Sequence, residues 1–332
     1  MYSFLRYFIW LTLISLSATN CDVNNDNLND NVYQKGKDEW MFLTDSIKNI
    51  IKIKAYDNAV YLCCGNGIYK STDEGLTWYK IPINRAVFDL VVIDNVILAA
   101  TYIGCYRSID SGVTWERKNN GIDGNVLKSD MTSMELINNR VFSGMDEGGV
   151  FWTDNTGEIW NKSLPDSISF GVYNLFHFKG ILYMCAYAGG YYMGHFLQGG
   201  LFYSLDSGLI WKSTSITGNY ITIQNVTVTD KVIIASTTNQ GDGAMISYDR
   251  GNKWDLLYPK IESKNITSVL SKGDSLFIGT ADKGIYFSND NSVNWKSYND
   301  KLEGKVINTF GMSNKYIFVA TFLDNRLYRR ML

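Results

Sequence analysis

Seven short runs dense in β-branched and aromatic residues recur along the chain: NAVYLCC (58–64), NVILAAT (95–101), RVFSGM (140–145), GILYMCA (180–186), KVIIAST (231–237), SLFIGT (275–280) and KYIFVAT (315–321). Each ends in small residues. Each follows a less regular apolar run, such as VFDLVVID before Asn95, and precedes a third, such as GIYKST or GLFYSL. After six of the third runs come a turn-rich octet and a short fourth run, as in WYKI and WERK. Apolar runs of strand length bounded by Gly, Asn and Asp predict β-strands rather than helices. Four strands per unit, repeated at about 40 residues, predict the blades of a β-propeller.

The octets share one pattern, a hydroxyl, an Asp or Asn two residues on, a Gly four on and a Trp seven on. They are Ser71, Asp73, Gly75 and Trp78; Ser108, Asp110, Gly112 and Trp115; Thr153, Asn155, Gly157 and Trp160; Ser204, Asp206, Gly208 and Trp211; Ser247, Asp249, Gly251 and Trp254; and Ser288, Asp290 and Trp295. In the sixth copy Ser292 stands where the glycine would be. Hydroxyl and carboxylate side chains accept hydrogen bonds from turn amides, glycine supplies a positive φ, and the indole buries between units. The octets are therefore expected to be structural turns between third and fourth strands, with mild strain at Ser292.

Seven second runs stand against six octets, because the chain ends at Leu332 just after the seventh third run. Trp40 opens WMFLT, which matches the WYKI that follows other octets. The expected fold is all-β, a seven-bladed propeller in which this N-terminal strand completes the C-terminal blade and leaves no open sheet edge.

These octets resemble the Asp-box (BNR) repeats of sialidases and related propellers, over roughly residues 40 to 332. The resemblance implies that the Asp-box is structural and lies on the face opposite the ligand site. A sialidase needs an arginine triad, and only Arg85 approaches the ligand face, so sialidase activity is not expected. Single-domain propellers of this size with an export signal also resemble the photosystem II assembly-factor type, which implies assembly without catalysis. That family's basic binding patch has no arginine equivalent in this chain.

Ahead of the repeats, Arg6 precedes an apolar run, Tyr7 to Leu16, followed by small or polar residues up to Cys21. Such a run is too short for a membrane span and fits a signal peptide. Residues 1–21 are expected to be that signal, with Cys21 as a lipidation site of bacterial lipoprotein type, although Asn20 departs from that pattern. Residues 22–38 are expected to be a polar disordered tether, and 39–332 the propeller. The expected location is periplasmic, cell-surface or secreted, with membrane contact only through Cys21.

Composition narrows the function. A net charge of −2 gives no basic field for nucleic acid. The cysteines have no zinc spacing and only His177 and His195 are available, so neither a metal nor a cofactor is expected. Counting back from the second strands, the inner-strand entries carry Lys52, Asp89, Ser133, Asn174, Asn225, Ser268 and Thr309, a polar ring with one acid. The facing loops add Asp146, Glu147, Asp242, Asp282 and Asp324. Blade four alone inserts a long loop, AYAGGYYMGHFLQGG, whose Tyr187, Tyr191, Tyr192, His195 and Phe196 suit stacking on a sugar or packing on a protein. With Asn174 and Asn225 they form the expected ligand site. The reading is a monomeric, non-catalytic binding or scaffold module for a protein or glycan partner at the envelope. The alternative is a glycoside hydrolase or carbohydrate-binding propeller using Asp89, Asp146 or Glu147.

Overall fold

The computed structural model describes residues 39–122, 130–163, 171–187, 191–192, 195–196, 199–218, 221–237, 243–258 and 260–332. The expected signal peptide and tether, with Cys21, and Asp242 lie outside them. Trp40–Leu332 is one compact unit, and it is a seven-bladed β-propeller of seven four-stranded antiparallel sheets. In blade one Ile50–Tyr56, Ala59–Cys64, Gly67–Ser71 and Tyr79–Ile81 pair in chain order from the axis outward. Blades two to six begin with Val87–Ile93, Met131–Ile137, Gly171–Phe178, Ile223–Val228 and Ile266–Lys272. Blade seven is built from Ile307–Met312, Tyr316–Thr321 and Leu327–Met331, with Met41–Thr44 added as its outermost strand. Met41 lies opposite Arg329 and Phe42 opposite Tyr328. The closure expected from Trp40 is therefore present, and Trp40 is buried with its indole N–H donating to Tyr298 O at 2.7 Å.

Burial explains why the second runs read as nearly continuous apolar stretches. They lie mid-sheet with a neighbouring blade on each face, so Leu62, Leu98, Phe142, Met184 and Ile278 are all buried. The fourth strands are exposed at their ends, as in Glu116–Arg117 and Lys296–Ser297. Seven apolar clusters occupy the spaces between sheets. Trp160 is fully buried in one of them and donates to Lys118 O at 3.0 Å. Burying a ring of that size stabilises by roughly 3 kcal/mol.

The six octets form the turns after the third strands, and one hydrogen-bond circuit repeats in all of them. Ser108 Oγ donates to Asp110 Oδ1 at 2.6 Å and accepts from Gly112 N at 2.7 Å, while Asp110 Oδ1 accepts from Thr114 N at 2.9 Å. In the third copy Thr153 and Asn155 make the equivalent bonds. Ser292 sits at φ 70°, in the left-handed region that favours glycine. Its hydroxyl accepts from the Trp295 indole at 2.9 Å, a contact that two of the glycine copies replace with the glycine's own carbonyl, Trp115 with Gly112 O and Trp254 with Gly251 O.

Candidate functional site

The innermost strands share an irregularity that shapes the axis of the ring. In all seven the register shifts across one residue near the strand entry, between Ile50 and Lys52, Val87 and Asp89, Met131 and Ser133, Val172 and Asn174, Ile223 and Asn225, Ile266 and Ser268, and Ile307 and Thr309. A bulge re-aims the side chains around it. Here the extra residue in some blades turns toward the next blade, as when Thr132 Oγ1 donates to Val172 O at 2.6 Å and Asn308 Nδ2 to Ile50 O at 2.5 Å. The residue after the bulge is the polar ring position.

At that position blades one, two and four are joined by charge. Lys52 Nζ lies 2.9 Å from Asp89 Oδ2 and donates to Asn174 Oδ1 at 2.7 Å. Asp89 is fully buried, and its carboxylate also accepts from Leu90 N at 2.8 Å and Met134 N at 3.0 Å. Lys54 Nζ stands 3.4 Å from Asp89 Oδ1 and 3.4 Å from Glu135 Oε2, and donates to Met134 O at 3.1 Å. Burial alone would raise the Asp89 carboxyl, but Lys52, Lys54 and the Met134 amide outweigh it and hold the group below the ordinary carboxylate range. Burial would likewise strip the Lys54 proton, yet Asp89 overrides it and holds the ammonium charged. Lys54 and Glu135 were not among the ring residues read from the sequence. The signal was there: each lies two positions beyond a ring residue, and a strand's period of two puts them on the same side.

Asp146 and Glu147 form the turn between Arg140–Met145 and Gly149–Thr153. This turn meets blade four directly, since Tyr187 Oη donates to Asp146 O at 2.5 Å. Tyr187 is buried at the end of Ile181–Tyr187, with its ring 5.2 Å from that of Tyr173. Gly171 permits this: a Cβ there would stand 2.0 Å from the Tyr187 ring. Beyond Tyr187, Tyr191–Tyr192 and His195–Phe196 pair as a small antiparallel ladder of their own. Asn225 turns to blade six, where Nδ2 donates to Thr267 O at 3.2 Å. Arg85, the one arginine expected near this face, stacks over Tyr106 at 4.0 Å. Asp282 accepts from Ser263 Oγ at 2.6 Å, and Asp324 is paired with Lys305 at 2.7 Å. The structure thus links Asp89 to Asn174 through Lys52, and Asp146 to Tyr187 directly.

No protein-family model and no curated protein matches the chain. Solved structures do. YCF48 from Cyanidioschyzon merolae superposes with a TM-score of 0.68 at 14% identity, over 88% of this chain and 98% of that one. YCF48 bound to D1 peptide matches equally, with 0.68 and 14% over 89% and 96%. The extracellular domain of the one-component system BT4673 from B. thetaiotaomicron gives 0.64 at 12% identity, over 89% of this chain and 40% of that one. The GH74 xyloglucanase from Xanthomonas campestris gives 0.62 at 15%, over 86% and 53%. The chain therefore spans about 40% and 53% of the last two. Likeness at such identities carries the propeller fold, on which both catalytic and non-catalytic proteins are built.

Proposed function

We propose that the protein is an exported, non-catalytic propeller that holds a protein segment against the blade-three and blade-four side of its ligand face. The observation that carries this reading is the state of Asp89. A hydrolytic carboxylate needs free lone pairs facing a substrate, whereas Asp89 is fully buried and engaged by two lysines and two backbone amides. Its chemistry is that of a counter-ion that locks inner strands together. The loop beyond Tyr187 carries Tyr191, Tyr192, His195 and Phe196, and aromatic residues of this kind are enriched at protein interfaces. A structure of YCF48 with a bound D1 peptide supports a peptide as the class of ligand. Export through the N-terminal signal, with Cys21 as the anchor, completes the reading. The extracellular setting of the BT4673 domain is in keeping with it.

One observation favours a second reading. Tyr187 fastens the acidic turn of Asp146 and Glu147 to the aromatic loop, an arrangement that would also serve a sugar. The test is a chromogenic-glycoside and glycan-array screen beside a peptide array, on the chain from Lys35 onward with the variants Tyr191→Ala and Asp146→Asn. The expected result is peptide binding weakened about tenfold or more in Tyr191→Ala, with no turnover in any sample. Glycoside turnover lost in Asp146→Asn would replace the scaffold reading with a hydrolase. Glycan binding lost in Tyr191→Ala would make it a lectin-like module.

A further inference from the structure

Successive connections in a four-stranded antiparallel blade alternate between the two faces of the ring. All six octet turns therefore lie on one face, opposite the axial cluster entries, beside the first-to-second-strand turns. Contacts between the two kinds of turn fit this: Asn95 Nδ2 donates to Ile109 O at 2.6 Å, and Ser111 N to Asn95 O at 2.9 Å. The residue after the glycine position forms the tip of each octet. It is Leu76, Val113, Leu209 and Val293 in four of them, and Val113 and Val293 are 69% and 64% exposed. Blade four adds Leu205 and Ile210 at 60% and 63%. The turn circuit needs only the hydroxyl, the carboxylate and a residue with positive φ. Nothing in it calls for aliphatic tips, and blade five carries Asn252 and Lys253 at the corresponding positions. Because the circuit fixes the backbone, these side chains are displayed on rigid turns.

The point where the chain enters the ring is a second, separate observation. Met41 pairs with Arg329, near the end of Leu327–Met331 that points to the octet face, and Met41 and Leu332 are themselves exposed there. Residues 22–38 therefore attach on the same face as the aliphatic tips, with a reach of roughly 55 Å when extended.

We infer that the octet face is a docking surface for a lipid bilayer. The aliphatic tips enter the interfacial region, and the ligand face is turned outward. The tips are spread around the ring, on blades one, two, four and six, which suits a planar surface better than a partner that covers one sector. Charges on this face are of both signs and partly paired, as Lys179 with Asp230 at 2.5 Å. Docking therefore depends on apolar insertion rather than on anionic lipid. The inference goes beyond the proposed function: it concerns the opposite face and does not need Cys21 to be acylated.

The test uses the chain from Lys35 onward, which contains the whole compact ring and lacks Cys21. It is mixed with vesicles of phosphatidylcholine alone, and co-sedimentation is followed together with quenching of tryptophan fluorescence by brominated acyl chains. Expected are binding that persists in 0.5 M salt, of order one Debye length below 5 Å, and quenching of the indoles beneath the tips. The triple variant Leu205→Ser, Leu209→Ser, Ile210→Ser should bind roughly tenfold more weakly. These side chains are exposed, so an unchanged melting curve will show that the fold is intact. Tyr191→Ala should bind vesicles as the parent does, which separates failure here from failure of the proposed function. Absence of vesicle binding by the parent chain would overturn the inference, as would a triple variant that binds equally well. So would light scattering that shows a dimer of the parent and a monomer of the triple variant, since the tips would then face a second copy.

Discussion

The smallest unit of this architecture is a serine, an aspartate and a glycine within five residues. In each octet the hydroxyl both donates and accepts, and the side-chain oxygen of the Asp or Asn collects the amide four residues beyond it, as Ser108 and Asp110 do with Gly112 and Thr114. The hydroxyl of Ser108, the hydroxyl of Thr114 and its amide hold the Asp110 carboxyl down to about 2, and the Asn294 amide with Ser288 does the same for Asp290. A carboxyl whose folded pKa is depressed contributes stability that is fully present above its unfolded value near 4 and is lost as pH falls through the folded value. The melting temperature is therefore expected to be level from pH 7 to about 5 and to fall between about pH 4 and 2. Asn155 shows that an amide oxygen can fill the aspartate's place. Asp110→Asn should accordingly fold, and the gap between its melting temperature and the parent's should narrow as pH drops from about 4 to 2. A gap that stays constant across that range, measured by scanning calorimetry, would show that the charge of Asp110 contributes nothing.

At the scale of the strand, one bulge repeated in seven inner strands decides which side chains meet at the axis. A strand alternates its side chains with a period of two, and an inserted residue reverses that phase. Lys52 and Lys54 thereby share a side and converge on Asp89. Removing the carboxylate alone leaves two ammonium groups around a buried site, so Asp89→Ala is expected to cost about 3–5 kcal/mol in urea denaturation. The double change Asp89→Leu with Lys54→Met should cost less than the single one, because the buried charge leaves with its counter-ion and Lys52 still reaches solvent. A double variant as unstable as Asp89→Ala would mean that packing, not charge, accounts for the loss.

The ring as a whole is closed by four residues far from the rest of their sheet in sequence. Met41–Thr44 covers the edge of Leu327–Met331, and Trp40 fills the space beside Tyr298. A chain starting at Asp45 would leave that edge unpaired, and exposed edges template association. Such a truncation is expected to lower the melting temperature and to elute as oligomers in size-exclusion chromatography, whereas the chain from Lys35 onward should run as a monomer. A truncated chain that remains monomeric with an unchanged melt would show that the six complete blades hold the seventh without its clasp.

Much of this was legible in the sequence, for a physical reason. Strand identity, blade count, the turn position of each octet and the clasp at Trp40 depend on local patterns: apolar runs, hydroxyl and carboxylate spacing, and a repeat that must bury each blade against the next. The polar ring could be counted for the same reason, since each member stands at a fixed offset from a recognisable second strand. What the sequence by itself could not determine is which of these residues touch across the axis. Asp89 reads as an available acid in VFDLVVID, and only the tertiary structure surrounds it with Lys52, Lys54 and the Met134 amide from two other blades. The contact of Tyr187 with Asp146 and the exposure of Leu205, Leu209 and Ile210 on a rigid tip were decided in the same way. Burial and charge pairing between blades belong to the ring, because residues 34 to 122 positions apart become neighbours only when the blades pack around one axis.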